Sequence, residues 1–151
     1  MKSLILILIF TATGFHTFSQ NPFSSRELSI NGFRNPSIGL EYRTGQISLH
    51  AGYYITALEF RDTYSFLKTG FTFWALPVDH KPIPSSLYAG ASYLRGFNFE
   101  YKNKNALGVE VGFRWMIWKG LNLRIGAILL ASRGLDLRVN PTPGISYSFR
   151  F

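Results

Sequence analysis

Few side chains in this sequence are equipped for chemistry. Imidazoles are confined to His16, His50 and His80, and there is no cysteine, which excludes disulfides, thiolate metal sites and a cysteine nucleophile. His50 follows Ser48 by two residues and faces Glu41 across a short expected turn. On paper that is a serine, a base and an orienting carboxylate; the same three residue types equally make a hydrogen-bonded charge network. His80 stands beside Asp79 in "VDHKP". Two such residues fall short of a metal site and fit a solvated turn. No catalytic residue, metal or cofactor is assigned, and the chain is expected not to be an enzyme.

The elements holding these residues are strands. "LGVEVGFRWMIW" sets Leu107, Val109, Val111, Phe113, Trp115 and Ile117 against Gly108, Glu110, Gly112, Arg114, Met116 and Trp118, a period of two. "QISLHAGYYIT", "FLKTGFTFWA", "LYAGASY" and "LNLRIGAIL" alternate in the same way. Thr44-Gly45 and Lys119-Gly120 read as two-residue hairpin turns. The pattern predicts about eight strands, at 24–31, 37–43, 46–56, 65–75, 86–97, 106–118, 121–132 and 143–151, with longer connections at 57–64, 77–85, 98–105 and 133–142.

Bulk composition narrows the class. Charged residues are 16% and aromatics 17% of the 151 residues, the former below the roughly 25% of an ordinary soluble domain. The formal charge of +8 is spread along the chain, which suits an anionic surface rather than nucleic acid. Residues 1–19 join a cationic start at Lys2 to an apolar run from Leu4 and small residues Thr17 and Ser19, the pattern of a cleaved signal peptide. The run is shorter than the ~20 residues that span a bilayer. Residues 20–151 are therefore expected to form one exported domain.

An all-β closed antiparallel up-and-down barrel can turn its apolar face inward, as a soluble carrier does, or outward into lipid. The polar face decides. It carries glycines, serines and ions of both signs: Glu41, His50, Lys68, Glu110, Arg114, Arg124 and Arg150. Paired charges and small residues fill the narrow interior of an eight-stranded barrel, so these seven residues are expected to form a lumen charge network. The opposite face is Leu, Ile, Val, Ala and Phe, with Tyr42, Tyr53, Tyr93 and Trp115 toward strand ends, as in the aromatic girdles of membrane barrels. Trp74, Met116 and Trp118 break the polar rule and are expected to plug the lumen near one mouth, with Ile128 a filler higher up.

The ending "GISYSFRF" alternates to a terminal phenylalanine and resembles the C-terminal signature of bacterial outer-membrane barrels. The matching positions are Ile145, Tyr147, Phe149 and Phe151, and the resemblance implies recognition by the barrel-insertion machinery. In length and strand count the chain is similar to the eight-stranded OmpA/OmpX-type barrels, and in style to Bacteroidota outer-membrane proteins. The reading is a monomeric structural or interaction protein of the outer membrane, with lipid and lipopolysaccharide as partners. The outer loops contain Lys102, Lys104, Arg133 and Arg138, which suit phosphate groups. A narrow channel, a lipid-modifying enzyme and a secreted lipocalin-like carrier are the alternatives.

Overall fold

A computed structural model describes residues 23, 26–33, 37–57 and 62–151; the expected signal peptide at 1–19 lies outside the described residues. Nine strand segments run β1 (Glu27–Gly32), β2 (Ile38–Thr44), β3 (Ile47–Ala57), β4 (Thr63–Pro77), β5 (Ser86–Gly96), β6 (Asn105–Trp118), β7 (Leu121–Ser132), β8 (Arg138–Pro141) and β9 (Gly144–Arg150). Each pairs antiparallel with its neighbours, β1 pairs β9, and the β6–β7 pairing closes the sheet on itself. Because β8 and β9 pair β7 in one continuous register, they form a single stave broken at Thr142 and Pro143. The result is a closed antiparallel barrel of eight staves.

Following the paired residues around the wall from Asn105 leads through Arg95, Leu67, Tyr53, Ile38, Gly32, Ile145 and Leu123 to Trp115, ten residues further along the starting strand. A ten-residue stagger over eight strands, with a rise of ~3.3 Å and a spacing of ~4.8 Å, tilts the strands by about 40°, inside the usual range for barrels.

The alternation sorts side chains as the polar face indicated. Val109 and Val111 point outward and are 57% and 56% exposed, whereas Glu110 and Arg114 between and beyond them are 5% and 0% exposed. Tyr53 and Tyr93 lie outward toward the end with the longer connections; Tyr42, Trp115, Tyr147 and Phe149 lie outward toward the end with the chain termini. At the Lys119–Gly120 turn both residues take positive φ, and a Cβ on Gly120 would meet the Ser148 carbonyl at 2.3 Å, so glycine is required there. The other short turn is shifted one residue from its expected place, to Gly45 and Gln46.

Two expectations change at strand ends. The last stave begins at Arg138, inside the segment expected to be a loop. Its prolines are compatible with this strand. Thr142 N–H donates to Gly126 O, so its neighbours Pro141 and Pro143 turn their nitrogens away from β7, where β8 has no other strand partner among the described residues. Proline is tolerated at such edge-facing positions because no donor is lost from the ladder. The opposite side of this notch is β3, whose residues Tyr54–Ala57 continue past Ile38, the last partner in β2. Four residues span about 13 Å along a strand. Ser37 Oγ takes the place of a strand partner there, accepting from Ile55 N–H at 2.8 Å. Asn140 Nδ2 reaches across to Tyr54 Oη at 2.9 Å and to Thr56 Oγ1.

Candidate functional site

The interior is the one place where charge, polarity and burial converge, and it is built in layers. Nearest the termini, Glu27 of β1 takes hydrogen bonds from two guanidiniums: Arg43 Nε at 2.8 Å and Arg114 Nη1 at 2.7 Å. Arg43 Nη2 and Ser29 Oγ, the latter at 3.1 Å, donate to the same carboxylate. At mid-height Arg124 Nη1 lies 2.7 Å from Glu41 Oε2, and Ser48 Oγ donates to the other oxygen of that carboxylate. Above them Lys68 Nζ lies 2.6 Å from Glu110 Oε2, whose second oxygen accepts from Tyr88 Oη at 3.1 Å. Among the described residues, the buried cations Arg43, Lys68, Arg114 and Arg124 are thus each paired with a carboxylate, as burial demands.

Trp74 ties the lower layers together. Its Nε1–H donates to Ser48 Oγ at 2.9 Å, while the Arg114 and Arg124 guanidiniums lie 4.1 and 5.1 Å from its ring centroid. Planar cations against an aromatic face gain electrostatic attraction.

Of the seven residues expected in the lumen network, Glu41, His50, Lys68, Glu110, Arg114 and Arg124 are buried inside the barrel. Five of these six join ion pairs. His50 instead bonds to Ser92 Oγ through Nε2 at 3.0 Å and to Thr72 Oγ1 through Nδ1 at 3.4 Å. Arg150 does not belong to the network. It is exposed at the last position of β9, beyond the layer that Glu27 and Arg43 close. Those two residues are the ones sequence reasoning missed. Glu27 heads the alternating "ELSIN", and Arg43 shares the polar face with Glu41, so the period-two signal was present in both.

The Ser48–His50–Glu41 arrangement does not assemble as a triad. Ser48 Oγ is engaged by Glu41 and Trp74, and His50 turns to Ser92 and Thr72. Among the described residues no three His, Cys, Asp or Glu side chains converge as metal ligands would. Asp79 instead accepts from the Ser85 hydroxyl at 2.6 Å and the Ser85 N–H at 3.1 Å.

Among the described residues, buried apolar side chains gather toward both ends of the lumen. Near the termini Phe23, Trp74 and Tyr88 form one buried cluster, and the 78–85 loop folds over the mouth. Lys81 Nζ donates to Met116 O at 2.6 Å and Arg114 Nη2 to Pro84 O at 3.1 Å. Met116 points inward as expected, but Trp118 is 64% exposed. The reason is a register shift between Met116 and Trp118, an irregularity that reverses the facing of the last residue. At the opposite end Tyr54, Tyr64, Phe66, Leu94, Tyr101, Ile128 and Leu130 pack into an apolar cap. Between these clusters, Glu41, His50, Lys68, Thr72, Tyr88, Glu110 and Arg124 line a cavity of about 10 Å³, at the limit of what one water molecule needs.

No known protein family matches the chain, and neither a curated protein nor a solved structure is significantly similar to it. The class therefore rests on fold and interior: an all-β, closed, eight-stranded antiparallel barrel with buried salt bridges inside.

Proposed function

We propose that this chain is a small integral protein of a bacterial outer membrane, a plugged barrel with a structural or interaction role in the envelope. The single observation that carries the reading is its inverted amphipathicity. Leucine, isoleucine, valine and aromatic side chains cover the outside, and ion pairs occupy the inside. A soluble barrel would expose its ions and bury its aliphatics. In hydrocarbon a closed barrel is the strand solution that satisfies all backbone groups. The twelve residues of β7, at ~3.3 Å each and tilted by about 40°, rise about 30 Å, close to the hydrocarbon thickness of a bilayer.

The plug reading rests on the 10 Å³ cavity and the two apolar caps. Export would use residues 1–19, and insertion would use the outward side of β9, where Ile145, Tyr147, Phe149 and Phe151 are exposed. The partners are then membrane lipid, lipopolysaccharide and the insertion machinery. Heat-modifiable migration on detergent gels together with recovery in the outer-membrane fraction tests the location; a protein recovered in the soluble fraction overturns it. Planar-bilayer recording tests the plug: a silent membrane is expected, and reproducible open steps would establish the narrow channel instead.

A further inference from the structure

The cations inside the barrel are each held by a carboxylate, but Lys119 and Arg150 at its terminus-side rim are not. That rim carries Arg26, Lys81, Lys119 and Arg150, with Asp79 the single acidic side chain among the described loop and turn residues there. Lys81 lies 3.4 Å from Asp79. Lys119 is 5.4 Å from the centroid of the Trp118 ring, and neither Lys119 nor Arg150 has an acidic partner among the described residues.

Lys119 and Arg150 border a groove of about 610 Å³ between the 78–85 loop, the β6–β7 turn and the end of β9. Ile83, Met116 and Trp118 contribute its apolar lining, with Lys81, Lys119 and Arg150 around it. The register shift at the end of β6 creates the arrangement, because it turns Trp118 out of the lumen and sets it beside Lys119. The groove lies just beyond the outward aromatic residues Trp115 and Tyr147, which is where lipid headgroups begin if those aromatics form an interfacial girdle.

We propose that this groove is a binding site for an anionic diacyl phospholipid of the periplasmic leaflet. Lys119 and Arg150 hold the phosphate, and acyl chain lies against Ile117 and Trp118. Guanidinium and ammonium groups both suit phosphate oxygens, and Arg can engage two at once. An indole beside them supplies the amphipathic surface favoured at the interface. The inference rests on the membrane reading above and adds a named ligand class and site to it.

The test is native mass spectrometry of the refolded barrel in neutral detergent, titrated with dioleoylphosphatidylglycerol or dioleoylphosphatidylcholine. Retention of the anionic lipid at least about ten-fold above the zwitterionic one is expected. The Lys119→Glu/Arg150→Glu variant should lose that preference, and Lys102→Glu/Lys104→Glu, at the other end, should keep it. Equal retention of the two lipids, or a preference untouched by the first variant, overturns the site. Displacement of the lipid by millimolar glycerol phosphate would also overturn it, by making the groove a soluble-phosphate site. Heat-modifiability of every sample keeps the two ideas separate: a heat-modifiable barrel without lipid preference refutes only the site, whereas a detergent-independent soluble protein refutes the membrane reading itself.

Discussion

Arg114 Nη1 donates to Glu27 Oε1 at 2.7 Å, joining β6 to β1 through the interior between residues 87 positions apart in the chain. The same carboxylate holds Arg43, so one Glu is shared by two guanidiniums, each almost wholly removed from solvent. Glu27→Gln removes the only negative charge in that group. Leaving buried cations uncompensated should cost about 3–5 kcal/mol, whereas replacing a buried ion cluster wholesale by apolar residues of similar volume is often neutral or stabilising. Urea midpoints of the detergent-folded protein should therefore fall sharply for E27Q and recover for Arg43→Met/Glu27→Leu/Arg114→Met.

Gly112 gives a second stability test. It pairs with Gly126, and a Cβ on it would sit 2.5 Å from Tyr88 Oη and 2.6 Å from the Ile125 carbonyl oxygen. The tyrosine needs that space to reach Glu110, and the carbonyl belongs to the sheet and cannot swing aside. Gly112→Ala should lower stability by about 1–3 kcal/mol, the usual cost of overpacking. Gly32→Ala is the control, because its added Cβ would come no closer than 3.8 Å to the atoms of Ile145, its nearest contact among the described residues beyond its chain neighbours; its midpoint should hardly move.

The β8 edge yields a prediction about association. Pro141 and Pro143 occupy positions where any other residue would direct an N–H away from β7 into the notch. Unpaired donors on a strand edge invite another strand. Pro141→Ala/Pro143→Ala should shift the protein toward dimers, seen as a second band after crosslinking in detergent. Asn140→Ala, which removes the side-chain bridge to Tyr54 and Thr56 but adds no donor, should remain monomeric.

The wall was far more legible in the sequence than the contents of the barrel. Alternation alone placed Val109 outside and Glu110 inside, because facing depends only on parity along a strand. Which ions meet depends on the ten-residue stagger, and local patterning carries no trace of it: nothing near Glu27 names Arg114. Parity also fails wherever a strand slips. Trp118 was misassigned because of the irregularity at Ile117, and Arg150 because it lies at the exposed rim, beyond the last layer of buried ion pairs. The cap of Tyr54, Phe66 and Tyr101 was hidden for another reason. Aromatics near strand ends suit an interfacial girdle as well as a lumen plug, and only the path of the 97–104 connection, which carries Tyr101 inward, separates the two.

Asp79 supplies the pH dependence. Burial raises its carboxyl pKa, but the hydrogen bonds from the Ser85 hydroxyl and N–H and from Lys81 outweigh this and hold it below the ordinary 3.8. A carboxylate whose folded pKa is depressed contributes stability that is complete above the unfolded pKa and is lost as pH falls through the folded one. The 78–85 loop should therefore stay latched from neutral pH down to about 4, loosening only in stronger acid. Ser85 passes the latch onward, since its Oγ accepts from Met116 N–H at 3.0 Å, while the next carbonyl back, that of Pro84, holds Arg114. Amide-exchange protection of Ser85 and Met116 should fall together in that acid range. In Asp79→Asn it should already be reduced at neutral pH and vary little with acid. Loss of protection at pH 5–6 in the native protein would assign the latch to some other group.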